Sequence, residues 1–276
     1  MSDKRVGDRV KTGLVGLLKG TGAIVEGATD VAKDATVTAL KGTGDVAAGV
    51  TSTASQIVGG ALSAVDDVGT GLVRTTKGVV VGILQGVGEI TTVTAGVISD
   101  TVRAALKGTG AIGADVTKTA RGVAEGLITA TRDTGTDLAE GAVALGRAAI
   151  GGTKDIGGDI VGTATGTMSG AVSGASQVGA DVLKAVRSTA KGLVQGAGDV
   201  GADIVEVTKG AISGAVSGAK EIGLSLEDAA SAAASGAFEA AEEIGESAVH
   251  AVRDVAASGV EGVKAVIAGQ QDTAAD

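Results

Sequence analysis

The chain of 276 residues contains no Trp, Tyr, Pro or Cys, one Phe and 48 Gly, and its formal net charge at pH 7 is −9. Nucleic acid is not an expected partner, because neutralisation of phosphates requires a surplus of basic residues. The acidic balance also argues against strong attraction to anionic lipid. An apolar fraction of 44% leaves enough apolar surface to bury, so the composition does not predict a disordered chain.

Three segments follow one another along the chain. Residues 1–8 are a short N-terminal lead-in, without the apolar segment that a secretory signal contains. Residues 9–220 form a neutral repeat body, and residues 221–276 form acidic C-terminal repeats and a tail. This last segment has 11 acidic side chains against Arg253 and Lys264, so the whole net charge lies there. We expect it to act as a solvating end.

The body is a gapless eleven-residue repeat. KGTG begins at Lys19, Lys41 and Lys107, and these spacings are multiples of eleven. Division from Arg9 gives 24 rows, for example GTGAIVEGATD at 20–30, and they continue through the acidic segment to Asp272. Eleven residues over three turns correspond to about 3.67 residues per turn. At that step, positions 2, 5, 6, 9 and 10 of the rows form one apolar stripe, which predicts α-helix and no strand.

The predicted fold class is all-α: an extended amphipathic helix or a helical array, with a tendency towards right-handed supercoiling. Folding back into long hairpins is the open alternative, because GTG segments at multiples of 22 residues are candidate turns. The charge-free stretches 46–65 and 160–180 contain Ser, Thr, Gln or Gly, which makes them poor membrane spans.

Position 3 of the rows lies on one edge of the stripe and carries basic side chains. At an apolar surface, such side chains bury their stems and keep their charged ends in water. Eight of them are candidate stripe-edge cations: Lys33, Lys77, Arg121, Arg132, Lys154, Arg187, Lys209 and Lys220.

A longer repeat of 44 residues is also present, and the rows that it relates contain glycines four residues apart. Residues four apart share a helix face, so small residues there form a groove that lets helix backbones approach closely. The candidate packing grooves are Gly78, Gly82 and Gly86; Gly166, Gly170 and Gly174; and Gly210, Gly214 and Gly218. Because each Gly costs a helix about 1 kcal/mol relative to Ala, we expect a single free helix to need a surface to pack on.

No set of residues predicts an enzyme, and no cofactor or metal site is expected. GxGxxG occurs at 108–113 and 196–201, but a dinucleotide site needs a βαβ unit, and both segments are rows of the repeat. His250 is the only histidine, so a His-based triad or metal cluster is not available. Met168 and Phe238 fall on the stripe, and we interpret them as packing residues.

Rows such as VTKGAISGAVS (207–217) and TTKGVVVGILQ (75–85) resemble the repeat regions of perilipins and synucleins. That resemblance implies binding of the stripe to a lipid-droplet or membrane surface. The eleven-residue repeat is also similar to that of group 3 late-embryogenesis-abundant proteins, which implies desiccation protection. Position 2 of the rows holds Thr21, Thr43, Thr109, Thr131 and Thr153, a spacing similar to that of helical antifreeze proteins.

Three functions fit these patterns. The first is a non-enzymatic protein that coats a lipid or other apolar surface, cytoplasmic or peripheral on a membrane or lipid droplet. The second is a self-assembling structural helical protein, a filament or bundle packed through the glycine grooves. The third is a desiccation or freezing stress protectant. The expected partners are neutral lipid, an apolar surface or copies of the same chain; nucleic acid and a small-molecule substrate are not expected.

Overall fold

The computed structural model describes residues 3–18, 24–41, 46–68 and 71–258. Within these ranges the chain forms twelve α-helices and no strand, which confirms the all-α prediction. The helices are α1 (Asp3–Leu18), α2 (Ile24–Lys41), α3 (Val46–Val68), α4 (Leu72–Gly88), α5 (Ala95–Ala111), α6 (Val116–Thr134), α7 (Leu138–Asp155), α8 (Ile160–Gln177), α9 (Val182–Val200), α10 (Ile204–Ile222), α11 (Leu226–Ile244) and α12 (Glu246–Ser258). The repeat is therefore an array of short helices and not one continuous helix.

A recurring short turn separates the helices from α5 to α11. Glycines with positive φ recur every 22 residues: Gly113, Gly135, Gly157, Gly179, Gly201 and Gly223. Glycine accepts this left-handed backbone because it has no Cβ, and it commonly ends helices for that reason. Two residues later, an Asp or Ser side chain caps the next helix. At α8, for example, the Asp159 carboxylate accepts a hydrogen bond from the backbone N–H of Gly162 at 2.9 Å.

The helices lie in two layers. From α1 to α11, each helix packs most extensively against the helix two positions along the chain and less against its immediate neighbours. The odd-numbered helices thus form one layer and the even-numbered helices the other. Helices within a layer run parallel: in the even-numbered layer, Gly166, Gly170 and Gly174 of α8 face Thr117, Arg121 and Glu125 of α6 in the same order. The structural repeat is a hairpin of two helices, which accounts for the 44-residue register of the glycines.

The apolar stripe lies inside this array. In α6 all five stripe positions are buried: Ala120, Val123, Ala124, Leu127 and Ile128. Met168 is fully buried in α8, and Phe238 is partly buried against the small cluster around Ala237. The core consists mostly of Ala, Val, Ile and Leu, so it relies on close helix approach and not on large aromatic side chains.

Both terminal segments take part in the array. The lead-in expected at residues 1–8 belongs to α1 from Asp3 onwards, and Val6 is buried. In the acidic segment 221–276, α11 packs against α9 and α10.

The KGTG segment at 107–110, which lies within the described residues, is not a turn. Residues 108–110 lie in the last turn of α5, and the chain reverses at Gly113, where the left-handed backbone is found. The turn prediction is therefore wrong for this segment. The GTG segments at 20–22 and 42–44 lie outside the described residues.

Candidate functional site

The groove glycines lie where parallel even-numbered helices meet. A Cβ added at Gly78 of α4 would be 2.5 Å from the Val25 carbonyl oxygen of α2, and one at Gly214 of α10 would be 2.5 Å from the Thr165 carbonyl oxygen of α8. All nine predicted glycines face the preceding even-numbered helix in this way: Gly78, Gly82 and Gly86 face α2; Gly166, Gly170 and Gly174 face α6; Gly210, Gly214 and Gly218 face α8. The grooves pack the chain against itself.

Further glycines outside the predicted triplets make contacts of the same kind. In α6, Gly122 and Gly126 occupy the same register, but Ala130 replaces the third glycine of the triplet. In the odd-numbered layer, a Cβ added at Gly146 of α7 would be 2.5 Å from the Leu193 backbone nitrogen of α9. Because these glycines do not form triplets, a search for three glycines four residues apart could not find them.

Most of the stripe-edge cations are paired with carboxylates. Six of the eight form ion pairs: Lys33 with Glu89, Lys77 with Glu125, Arg121 with Glu221, Arg132 with Asp133, Arg187 with Glu239, and Lys209 with Glu206. Lys154 and Lys220 are exposed. Exposed pairs contribute only about 0–1 kcal/mol each. Arg132–Asp133 and Lys209–Glu206 lie within one helix, and the other four pairs join residues far apart along the chain.

The least exposed of these pairs connects three even-numbered helices. Lys77 Nζ lies 2.9 Å from Glu125 Oε1, and the two side chains are only 13% and 12% exposed. Gln177 of α8 donates a hydrogen bond from Nε2 to the same carboxylate oxygen at 2.7 Å, and Lys77 Nζ donates to Gln177 Oε1. Loss of one partner would leave a poorly hydrated group unpaired, so this cluster favours a single register of α4, α6 and α8.

The outer face of the odd-numbered layer has a shallow cleft of about 780 Å³ between α5, α7, α9 and α11. Its charged side chains are paired across neighbouring helices, with Arg103 Nη1 2.9 Å from Asp155 Oδ2 and Arg147 Nη2 2.7 Å from Asp199 Oδ2. The only histidine, His250, lies on α12 beside a different depression. In the part of the chain that the structure describes, no three His, Asp or Glu side chains are grouped as metal ligands.

The two GxGxxG segments form helix ends. Residues 108–113 close α5, and residues 196–201 close α9, with Gly113 and Gly201 in the left-handed conformation. Each is followed by a short turn and another helix, so these glycines stop helices and do not stand in a βαβ unit.

The described stripe threonines face inwards. Thr109, Thr131 and Thr153 are buried, and Thr109 Oγ1 donates a hydrogen bond to Thr119 Oγ1 at 3.0 Å. They do not form the exposed plane that the similarity to antifreeze proteins implies, because position 2 of the rows faces the core. Thr21 and Thr43 lie outside the described residues.

Helix capping and ion pairing shift the titration of several charged groups. The backbone N–H of Lys118 holds the pKa of Asp115 below its usual value, and the backbone N–H of Glu140 does the same to the pKa of Asp137. Hydrogen bonds from the side chains of Lys191 and Gln195 lower the pKa of Glu243. These carboxylates stay charged to lower pH than free ones, so they serve as caps and pairs across the neutral range.

None of the described helices combines the length and the apolarity that a membrane span requires. In comparisons with known proteins, no family model and no curated protein matches this chain.

Proposed function

We propose that the protein is a non-enzymatic structural helical-repeat protein that uses its apolar stripe and glycine grooves to pack its own helices. The observation that supports this proposal is the burial of both features within one chain. The stripe positions of α6 contact other helices, and all nine groove glycines face a helix of the same layer. This is the structural hypothesis of the sequence analysis, with the chain itself as the packing partner.

The energetics of glycine support this use of the grooves. Each helical glycine costs about 1 kcal/mol relative to Ala. Close backbone approach and burial of the stripe offset that cost, at about 25 cal/mol per Å² of apolar surface removed from water. A single hairpin leaves both of its packing faces open, whereas stacked hairpins cover them. The chain therefore gains stability by repetition, as expected of a protein with a mechanical or scaffolding function.

In a lipid coat, the same stripe residues would contact lipid and not other helices of the chain. The two layers would have to separate so that the stripe could face lipid, and Lys77 would have to leave Glu125 and Gln177. A stress protectant would be unpacked in water. The three functions therefore differ in the state of the chain in lipid-free buffer.

The first experiment measures helicity and size of the full chain, with and without neutral lipid vesicles. In lipid-free buffer we expect strong helical circular dichroism, a cooperative thermal transition and a single compact species by light scattering. Vesicles should leave the helicity unchanged. A disordered chain that becomes helical only with vesicles would overturn the proposal in favour of a lipid coat. A disordered chain that vesicles do not change would favour a protectant.

The second experiment uses two leucines that both fall on the stripe, at positions 9 and 10 of their rows, but differ in burial. Leu127 of α6 is 0% exposed, whereas Leu183 of α9 is 37% exposed. Leu127→Lys should strongly reduce helicity and thermal stability in buffer, because it places a charge in the core. Leu183→Lys, the matched control, should leave both nearly unchanged. Equal effects of the two substitutions in buffer would contradict the packed array.

A further inference from the structure

The even-numbered helices share a pattern that is broken at both ends of the layer. Two positions, each recurring every 44 residues, face the preceding even-numbered helix. The four inner helices α4, α6, α8 and α10 have glycine at both: Gly78 and Gly82, Gly122 and Gly126, Gly166 and Gly170, and Gly210 and Gly214. The first helix of the layer, α2, has Asp34 and Thr38 there, and the last, α12, has Asp254 and Ser258.

On α2 these residues point outwards. Asp34 and Thr38 are exposed, and they continue a row of exposed residues four apart that begins with Glu26 and Asp30. In α4 the corresponding face is in contact with α2, but no described helix precedes α2 in the even-numbered layer. The face that packs in the inner helices is thus the acidic end of the array.

Apolar surface lies next to this acidic row. A groove of about 260 Å³ runs between α1 and α2, and its lining includes the apolar Val10, Val31 and Ala35 and the polar Arg9, Asp34 and Thr38. A further hairpin stacked before α1 would cover this groove. The end face therefore has the shape and the apolar floor to receive another helix, and it differs from an inner face in the two residues that replace glycine.

Those two residues prevent the close contact of an inner face. A Cβ at Gly78 would already be 2.5 Å from a backbone carbonyl oxygen, and one at Gly122 would be 2.7 Å from another. A carboxylate at the same position would be buried against a hydrogen-bond acceptor, which is unfavourable because the charge loses its hydration beside a group that cannot donate to it.

The last described even-numbered helix departs from the glycine pattern in another way. α12 turns Ala248, Val252 and Val255 into the core and leaves Asp254 exposed. Glu246 lies two turns before Asp254 and is also exposed. Asp254 therefore stays out of the contact with α10.

We infer that Asp34 and Thr38 prevent a second copy of this chain from stacking on α2 in the way that the inner helices of this layer stack on one another. This inference goes beyond the proposed structural function, because a packed array could equally grow into filaments.

The test compares three forms of the full chain: wild type, Asp34→Gly/Thr38→Gly, and Asp34→Ala/Thr38→Ala. The Ala variant removes the charge and the hydroxyl but keeps a Cβ at each position. Sedimentation or light scattering over a wide concentration range should give the mass of one chain for wild type and for the Ala variant. The Gly variant should show a mass that rises with concentration, and circular dichroism should show that it keeps its helices.

Three results would overturn the inference: a helical Gly variant that stays monomeric, an Ala variant that associates as strongly as the Gly variant, or a wild type that associates by itself. The reciprocal variant Gly166→Asp/Gly170→Thr places the cap residues inside the array, so the inference is tested even if the Gly variant loses helix. It should lower the thermal stability markedly by separating α8 from α6. Unchanged stability would show that this residue pair does not block stacking.

Discussion

Glycine has opposite roles in this chain, and its place in the 22-residue unit decides which. Gly179 has φ of +65° and ends α8; its role is to adopt the left-handed backbone conformation. Gly170 lies within α8, where it gives up helix propensity so that the backbone can approach α6. Gly59 of α3 does neither, since an added Cβ would meet no heavy atom within 4 Å.

Substitution by Ala separates these roles. We expect Gly170→Ala to lower the free energy of unfolding by about 1–3 kcal/mol, because a methyl group added to a packed contact forces the helices apart. Gly59→Ala, the matched control, should raise it by about 1 kcal/mol through helix propensity alone. Denaturant titrations followed by circular dichroism measure both changes. Stabilisation by both substitutions would show that Gly170 has no close neighbour.

The capping carboxylates predict how stability depends on pH. The pKa values of Asp115 and Asp137 lie below the ordinary value of 3.8. Their contribution is therefore fully present above that value and is lost as pH falls through the lower folded-state pKa. Asp137→Asn keeps a capping side chain but cannot titrate, so it should weaken the pH dependence below 3.8 in thermal melts. An unaltered pH profile would mean that other carboxylates cause the acid loss.

At the scale of the helix, the turns decide where each element begins and ends. The left-handed glycine stops one helix, and the carboxylate two residues later starts the next, as with Gly157 and Asp159. At the end of α8, the Ala180 backbone N–H donates to the Ala175 carbonyl at 2.9 Å, which satisfies a carbonyl at the helix end. Helix length is therefore set by a local signal and not by the periodicity of the stripe.

Substitution at the turn glycine tests this local signal. Gly179→Ala should lower the free energy of unfolding by about 1–2 kcal/mol, because a Cβ disfavours the left-handed backbone. Gly179→Asn should cost less, since Asn tolerates that conformation better. No atom within 4 Å would meet an added Cβ at Gly179, so crowding cannot explain a loss. Thermal melts of the two variants measure the difference; equal losses would point to a cause other than backbone conformation.

At the scale of the whole molecule, the array has a period of two helices. An even-numbered helix presents groove glycines to its own layer, and Lys77 on α4 pairs with Glu125 on α6 across the same layer. Removal of one helix would place every later helix in the wrong layer, whereas removal of two would preserve the layers.

Two internal deletions with the same junction test this period. Deletion of residues 137–180 removes α7 and α8, and deletion of residues 137–158 removes α7 alone; each leaves a Gly-Thr-Asp turn after α6. We expect the longer deletion to keep a cooperative, highly helical fold. The shorter deletion should lose cooperativity, because α8 would bring its groove glycines to the odd-numbered layer. Calorimetry and circular dichroism compare the two, and a better fold after the shorter deletion would contradict the two-layer arrangement.

Much of the fold could be predicted from the sequence, because packed helices require apolar residues and glycines at regular intervals along the chain. The predicted stripe positions are buried in α6, and the predicted glycine triplets on α4, α8 and α10 contact the preceding even-numbered helix. The turns were harder to predict. Gly113 is one of many glycines, and the GTG segment before it is the more conspicuous candidate for the end of a helix.

The candidate site could be predicted only in part. The cations at position 3 of the rows were identified by spacing, but their carboxylate partners lie far away along the chain. Lys77 and Glu125 are 48 residues apart, and Arg121 and Glu221 are 100 residues apart. Pairs at such distances depend on which helices become neighbours, so the repeat alone could not assign them.

The sequence by itself determined that this protein is helical, that its apolar residues share one stripe, and that its glycines recur every 44 residues, because these properties follow from the local geometry of one helix. Only the tertiary structure decided what the stripe faces. Reversal of the chain at left-handed glycines places each helix beside the one two positions away, and that contact buries the stripe, fills the grooves and leaves Asp34 at an end.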